Sequence, residues 1–165
     1  MVSEKNEKIF EILRSRGHIS PSTQKMAIGF MERWGVDAFR ALTETHLVEE
    51  NKMADILAQE LNLPRLPRVR IREVDKEVFD FLPYDLALEL VVFPFELRSD
   101  GVLMVAFADP SNPDRVSQVR EVTGRSIEVF VGERSEIISA IQRHYPLSKQ
   151  LPSLVSMMRG GKGLP

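Results

Sequence analysis

The sequence predicts an α+β fold, an N-terminal bundle of short helices followed by a small three-stranded sheet with helices. Three observations carry this. Residues 1–62 place apolar side chains at helical spacing between turn signals, as in Ile9, Phe10, Ile12 and Leu13. Two apolar runs, Val91–Leu97 and Val102–Phe107, flank Ser99-Asp100-Gly101, a strong hairpin signal. The chain is 43% hydrophobic and 28% charged over 165 residues, enough for a sizeable core and incompatible with disorder or a fibrous repeat.

The first helix ends at Gly17. Ser20-Pro21-Ser22 opens the second, because Ser caps orphan amides and Pro is tolerated in the first turn. Met26, Ala27, Phe30, Met31 and Trp34 are expected to form its buried stripe, and Gly35 ends it. A third helix spans about Val36–Thr45 with Phe39 and Leu42 inward. A fourth starts near Glu49 with Met53, Ile56, Leu57 and Leu61 on one face. These helices look duplicated. Lys8–Leu13 matches Asp37–Leu42, and Gln24–Ala27 matches Asn51–Ala54, with a two-residue change of register between the matches.

Residues 63–73, LPRLPRVRIRE, form the expected connector, since Pro64 and Pro67 forbid a continuous helix. Arg65, Arg68, Arg70 and Arg72 read as solvated arginines rather than an anionic-ligand strip. The alternation Val69-Arg70-Ile71-Arg72 fits an exposed edge segment. Such a connector buries little, so relative motion of the units 1–62 and 74–146 is expected. In the second unit, Lys76–Leu90 is helical with a break at Pro83. Pro94 puts the first strand at an edge, and Asn112-Pro113-Asp114 opens a helix running to about Thr123. Ser126–Val131 is the third strand and Ser135–His144 the last helix. Residues 147–165 carry no acidic residue and two Gly-rich interruptions, and read as a flexible tail or linker.

The composition narrows the chemistry. A formal charge of -2 argues against a dedicated nucleic-acid binder. With no cysteine, disulfides, thiolate metal sites and a Cys nucleophile are excluded. His18, His46 and His144 lack the spacing that places two imidazoles on one helical face. Gly160-Gly161-Lys162-Gly163 imitates a phosphate loop, but no strand precedes it and no Ser or Thr follows the lysine. Asp109–Asp114 is a dense polar cluster that reads as helix punctuation rather than an active-site loop. The charged start has no apolar leader core, and no stretch approaches a membrane span. A non-enzymatic, cytoplasmic protein without a cofactor or metal is expected.

An ordered series of segments carries a resemblance. Leu57–Pro64, Leu82-Pro83, Val92–Phe95, Val105–Pro110, Thr123-Gly124 and Ile141–Tyr145 together resemble the N-terminal domain of type II secretion and type IV pilus assembly ATPases, the general secretory pathway protein E family. That resemblance implies an adaptor that attaches the ATPase motor domain to the cytoplasmic part of an inner-membrane assembly protein, hence a location peripheral to that membrane. The alternative it implies is a cyclic di-GMP sensor controlling the motor. Some family members bind that nucleotide through two copies of a motif similar to Arg-Leu-Gly-x-x-Leu-x-x-x-Gly, followed by Leu, Leu and Gln on the next helix. Here the first copy places Lys8, Phe10, Leu13 and Gly17 at the Arg, Gly, Leu and Gly positions. The second places Asp37, Phe39, Leu42 and His46 there, then Met53, Leu57 and Glu60. Phe lacks the close backbone approach that Gly permits, and Asp37 and Glu60 repel phosphates. Adaptor docking is therefore the expected function, with Met31 and Trp34 as its contact residues, because the apolar stripe is widest where the second helix ends.

Overall fold

The computed structural model describes residues 4–151, with the side chains of 4–7, 69 and 70 left aside. Four helices come first: α1 (Glu4–Ser15), α2 (Pro21–Trp34), α3 (Ala38–Glu44) and α4 (Glu50–Glu60). Their ends follow local chemistry. Ser20 accepts the Thr23 N–H at 3.1 Å and Pro21 occupies the first turn, while Asp37 accepts the Arg40 N–H at 2.8 Å. At the end of α1, His18 N–H reaches Leu13 O at 2.8 Å and Gly17 N–H reaches Arg14 O at 3.0 Å. This closure needs a left-handed residue, and Gly17 supplies it at φ 72.

The helices repeat in one frame. Gly17 and His46 are both left-handed, Ser20 and Glu49 are both N-caps, and Pro21 and Glu50 both start the following helix. Each pair is 29 residues apart, as are the buried pairs Phe10 and Phe39, Leu13 and Leu42, and Ile19 and Val48. The two-residue register change expected from Lys25-Met26-Ala27 is thus corrected. Matching identical residues found the wrong frame, whereas caps and burial keep one separation throughout.

The second part holds a 3-10 turn (Lys76–Asp80), α6 (Tyr84–Leu90), β1 (Val92–Leu97), β2 (Leu103–Phe107), α7 (Pro113–Thr123), β3 (Ile127–Val131) and α8 (Arg134–His144). The order in the sheet is β1-β2-β3, with β1 antiparallel to β2 and β2 parallel to β3. The α+β class and its three-stranded sheet are therefore as the sequence predicts. Pro94 lies on edge strand β1, and the register slips between Pro94 and Glu96. Asn112 caps α7 by accepting the Asp114 N–H at 3.0 Å. Tyr145 ends the last helix inside the core, its ring 4.5 Å from Phe79 and its hydroxyl donating to Leu82 O at 2.8 Å. Burial pushes that phenol well above its usual range.

The connector differs from its expected form. Arg68–Arg72 is a short helix, α5, beginning directly after Pro67, and not an extended edge segment. A Pro-fixed φ suits a helix entry, and five residues are too few for helical periodicity to show over an alternating pattern. Nor is the connector loose. Leu66 is buried, its N–H donates to Val131 O at 2.8 Å, and Pro64 O accepts the Val131 N–H at 2.9 Å. One contiguous apolar core runs through both parts. At the other end, residues 147–151 are helical and tied back, with Gln150 donating to Tyr145 O at 2.8 Å and Lys149 paired with Asp80 at 2.8 Å. The expected flexible tail does not start at 147, and its remainder, 152–165, lies outside the described residues.

Candidate functional site

Helix α2 presents two large apolar side chains to solvent, Met26 and Trp34. A helix packed by one face buries a stripe and solvates the rest. Only Ala27 of α2 is fully buried, while Ile28, Phe30 and Met31 are half-buried against the core. Met26 and Trp34 are 62% and 61% exposed. The expectation that both lie in the buried stripe is corrected, because among the described residues nothing covers them. Trp34 is steadied rather than buried. Its ring lies 6.2 Å from that of Phe30, and the Arg33 guanidinium sits 5.5 Å from its centroid. Of the two expected contact residues, Trp34 is presented to solvent and Met31 half packs inward. Met26 was missed, since helical spacing alone does not say which flank of a stripe is covered.

Beside this face, Phe10, Glu11, Arg14, Ser15 and Gln24 line an open cleft of about 560 Å³ between α1 and α2. Arg14 donates to Gln24 Oε1 at 3.2 Å across it. The cleft adjoins the first copy of the motif frame, and its polar lining had no sequence signal.

The frame itself survives as scaffold. Leu13, Leu42 and Leu57 are fully buried, so they hold helices together and present nothing to a ligand. Gly17 has the left-handed turn the frame requires, and Lys8 is exposed. At the positions where the resemblance has Gly, Phe10 and Phe39 are 2% and 5% exposed, their rings filling the core. The acidic positions are engaged as well. Asp37 caps α3 and pairs with Arg115 at 2.7 Å, and Glu60 pairs with Arg16 at 3.0 Å.

The polar cluster after β2 is local punctuation. Asp109 accepts the N–H and hydroxyl of Ser111, and burial pushes its carboxyl above the usual range, against the opposing pull of Ser111 and Arg115. Among the described residues, no group of three or more His, Cys, Asp or Glu is placed to hold a metal ion.

Comparison with known proteins identifies the architecture. Residues 61–151 match the MshEN domain. The chain belongs to the MshEN domain family. The type IV pilus assembly ATPase PilB of Myxococcus xanthus is 29% identical over 147 residues, 89% of this chain and 25% of that protein. The type IV pilus assembly ATPase PilB of Thermus thermophilus is 29% identical over 106 residues, 64% of this chain and 12% of that protein. The chain thus spans a quarter or less of the curated relatives it matches. Among solved structures, the N-terminal domain of XpsE superposes with a TM-score of 0.70 at 25% identity, covering 88% of this chain and 99% of that one. A structure of MshE with cdg (cyclic di-GMP) shares the fold, with a TM-score of 0.63 at 19% identity over 83% of this chain and 98% of that one. This MshEN domain is therefore built like the N-terminal domains of pilus and secretion assembly ATPases.

Proposed function

We propose that this MshEN domain is a non-catalytic adaptor. It docks a type IV pilus or type II secretion assembly ATPase, through the motor domain it accompanies, onto the cytoplasmic part of an inner-membrane assembly protein. The observation that carries this reading is the α2 face, where Trp34 and Met26 stand exposed on a helix capped at both ends. Aromatic and Met side chains on a preformed surface suit an interface core. Among the described residues, no helix is long and apolar enough to cross a membrane, so attachment to the membrane would run through the protein partner. Trp34→Ala should weaken binding to that partner by about 2 kcal/mol, the size of an anchor residue. Its thermal midpoint should hardly move, because the ring is mostly in water. Binding unchanged by the substitution would remove the α2 face from the docking surface.

A cyclic di-GMP sensor is the second reading, favoured by the intact frame of 29 residues linking Gly17 to His46 and by the MshE neighbour solved with that nucleotide. The buried Phe10 and Phe39 and the carboxylates of Asp37 and Glu60 weigh against it. Calorimetric titration of the whole chain with cyclic di-GMP separates the two. Absence of heat supports the adaptor, and micromolar or tighter binding would promote the sensor.

A further inference from the structure

Gly29 sits in the interior of α2, where glycine is unfavourable. Inside a helix it lowers the folding equilibrium about twofold to fivefold against alanine, because the unfolded chain has more freedom to lose. The other described glycines each answer a local need. Gly17, Gly35, Gly101 and Gly124 have left-handed backbones, and at Gly132 an added Cβ would lie 3.1 Å from Ile137. Gly29 has neither reason. It is exposed, its backbone is helical, and a Cβ there would meet no other part of the described fold within 4 Å.

Helical geometry shows what this gap adjoins. Residues four apart line up as ridges on a helix surface, and the grooves between them receive the ridges of a packed helix. Met26, Phe30 and Trp34 make one apolar ridge, with the Phe30 and Trp34 rings 6.2 Å apart. Lys25, Gly29 and Arg33 make the next, with a cation at either end and a notch in the middle. The two cations are about 12 Å apart along the axis. Among the described residues, no carboxylate pairs with either. Glu32 belongs to the ridge beyond, with Gln24 and Ile28, on the side away from the apolar ridge.

We infer that the partner element on α2 is an acidic amphipathic helix that crosses at Gly29. This rests on the reading of α2 as the docking face, and it names what that face binds. Without a Cβ at the crossing, the two axes approach to about 8 Å, the short end of helix packing. One ridge of the partner passes through the notch. Its apolar side chains cover Met26, Phe30 and Trp34, and its carboxylates reach Lys25 and Arg33. Charge selects this occupant, since an apolar strip beside two unpaired cations complements apolar and acidic side chains together. A second copy of this chain does not fit. A two-fold crossing at Gly29 would set Lys25 of each copy against Arg33 of the other.

The full chain and the purified cytoplasmic domain of the inner-membrane assembly protein supply the test. Gly29→Ala should act with opposite signs in two measurements. Denaturant unfolding of the free chain should show its folding equilibrium raised about twofold to fivefold. Affinity for the cytoplasmic domain should fall about tenfold, because a methyl group in the notch overpacks the crossing. Gly29→Leu also fits the free chain, where the site is open, and should bind about a hundredfold more weakly. Lys25→Glu should weaken binding about tenfold at low salt and less at high salt. A benzophenone carried on Glu32→Cys labels one site, because the chain has no cysteine. The partner residues it captures should recur three and four apart.

Loss of stability in free Gly29→Ala would overturn the inference, since the glycine would then serve this fold. Undiminished affinity in both Gly29 variants beside a weakened Trp34→Ala would leave docking on α2 and overturn the close crossing. Captured residues two apart would put a strand in place of the helix, and full affinity in Lys25→Glu would overturn the acidic partner. Trp34→Ala binding at full strength would instead remove the docking face itself.

Discussion

Helices α2 and α4 occupy equivalent places in the repeat and have opposite fates. In α4, Met53, Ala54, Ile56, Leu57 and Ala58 are buried, and the helix packs against strand β3. In α2, Ala27 alone is fully buried, and Met26 and Trp34 face solvent. Both helices are amphipathic, so pattern does not separate them. What separates them is a second layer, which the described residues supply to α4 and not to α2. An apolar flank on a helix without a second layer suits a partner surface, and this is why the proposed docking is placed on α2.

The largest test of that contrast compares equivalent core positions. Leu57→Ala in α4 empties a fully buried site and should cost about 3 kcal/mol, as for other buried leucines. Ile28→Ala, 29 residues earlier on α2, removes a half-buried side chain and should cost about 1 kcal/mol. Denaturant unfolding measures both. Equal losses would mean that α2 is covered as fully as α4.

Much of this was open to sequence reading, and the exceptions share a cause. Ser20-Pro21, Asn112-Pro113 and Asp100-Gly101 declared their elements because caps and turns are local chemistry. The alternating stretch after Pro67 did not, since a helix of five residues shows no period of its own. His46 and Val91 gave no sign of their left-handed backbones, at φ 59 and 53, a conformation such residues seldom take. The exposure of Met26, and the reach of Glu50 to Ser135 across 85 residues, depend on tertiary placement that spacing does not encode.

The same separation pairs exposed Lys8 with Asp37, which is built into the structure beside Arg115 and near buried Asp109. Asp109 gives the contrast a pH signature. Burial, and secondarily the neighbouring Asp37, lifts its folded pKa above the ordinary 3.8, while Ser111 and Arg115 oppose the rise. The folded state then holds the proton more tightly than the unfolded one, so this group's contribution falls as pH rises from the ordinary carboxylate range through the raised value. Asp109→Asn keeps an acceptor for Ser111 and removes the charge. It should be more stable than the parent at pH 7, with the advantage shrinking as pH falls toward 3.8. Thermal melts across that window check the sign. A constant difference at all pH values would place the charge of Asp109 outside the linkage.

The smallest effects lie at the two equivalent N-caps. Ser20 accepts the Thr23 N–H at 3.1 Å, whereas Glu49, 29 residues on, makes no side-chain cap bond. Its carboxylate instead lies 3.8 Å from His46 Nδ1 on an exposed surface. Ser20→Ala should therefore cost about 1 kcal/mol and Glu49→Ala close to nothing. Glu49→Ser should add roughly 0.5 kcal/mol by giving α4 the cap that α2 already has. Chemical denaturation of the three variants resolves these differences. If Glu49→Ser gained nothing while Ser20→Ala cost its full amount, the first turn of α4 would already be held by its packing on β3. The layering that distinguishes the two helices would then extend to their ends.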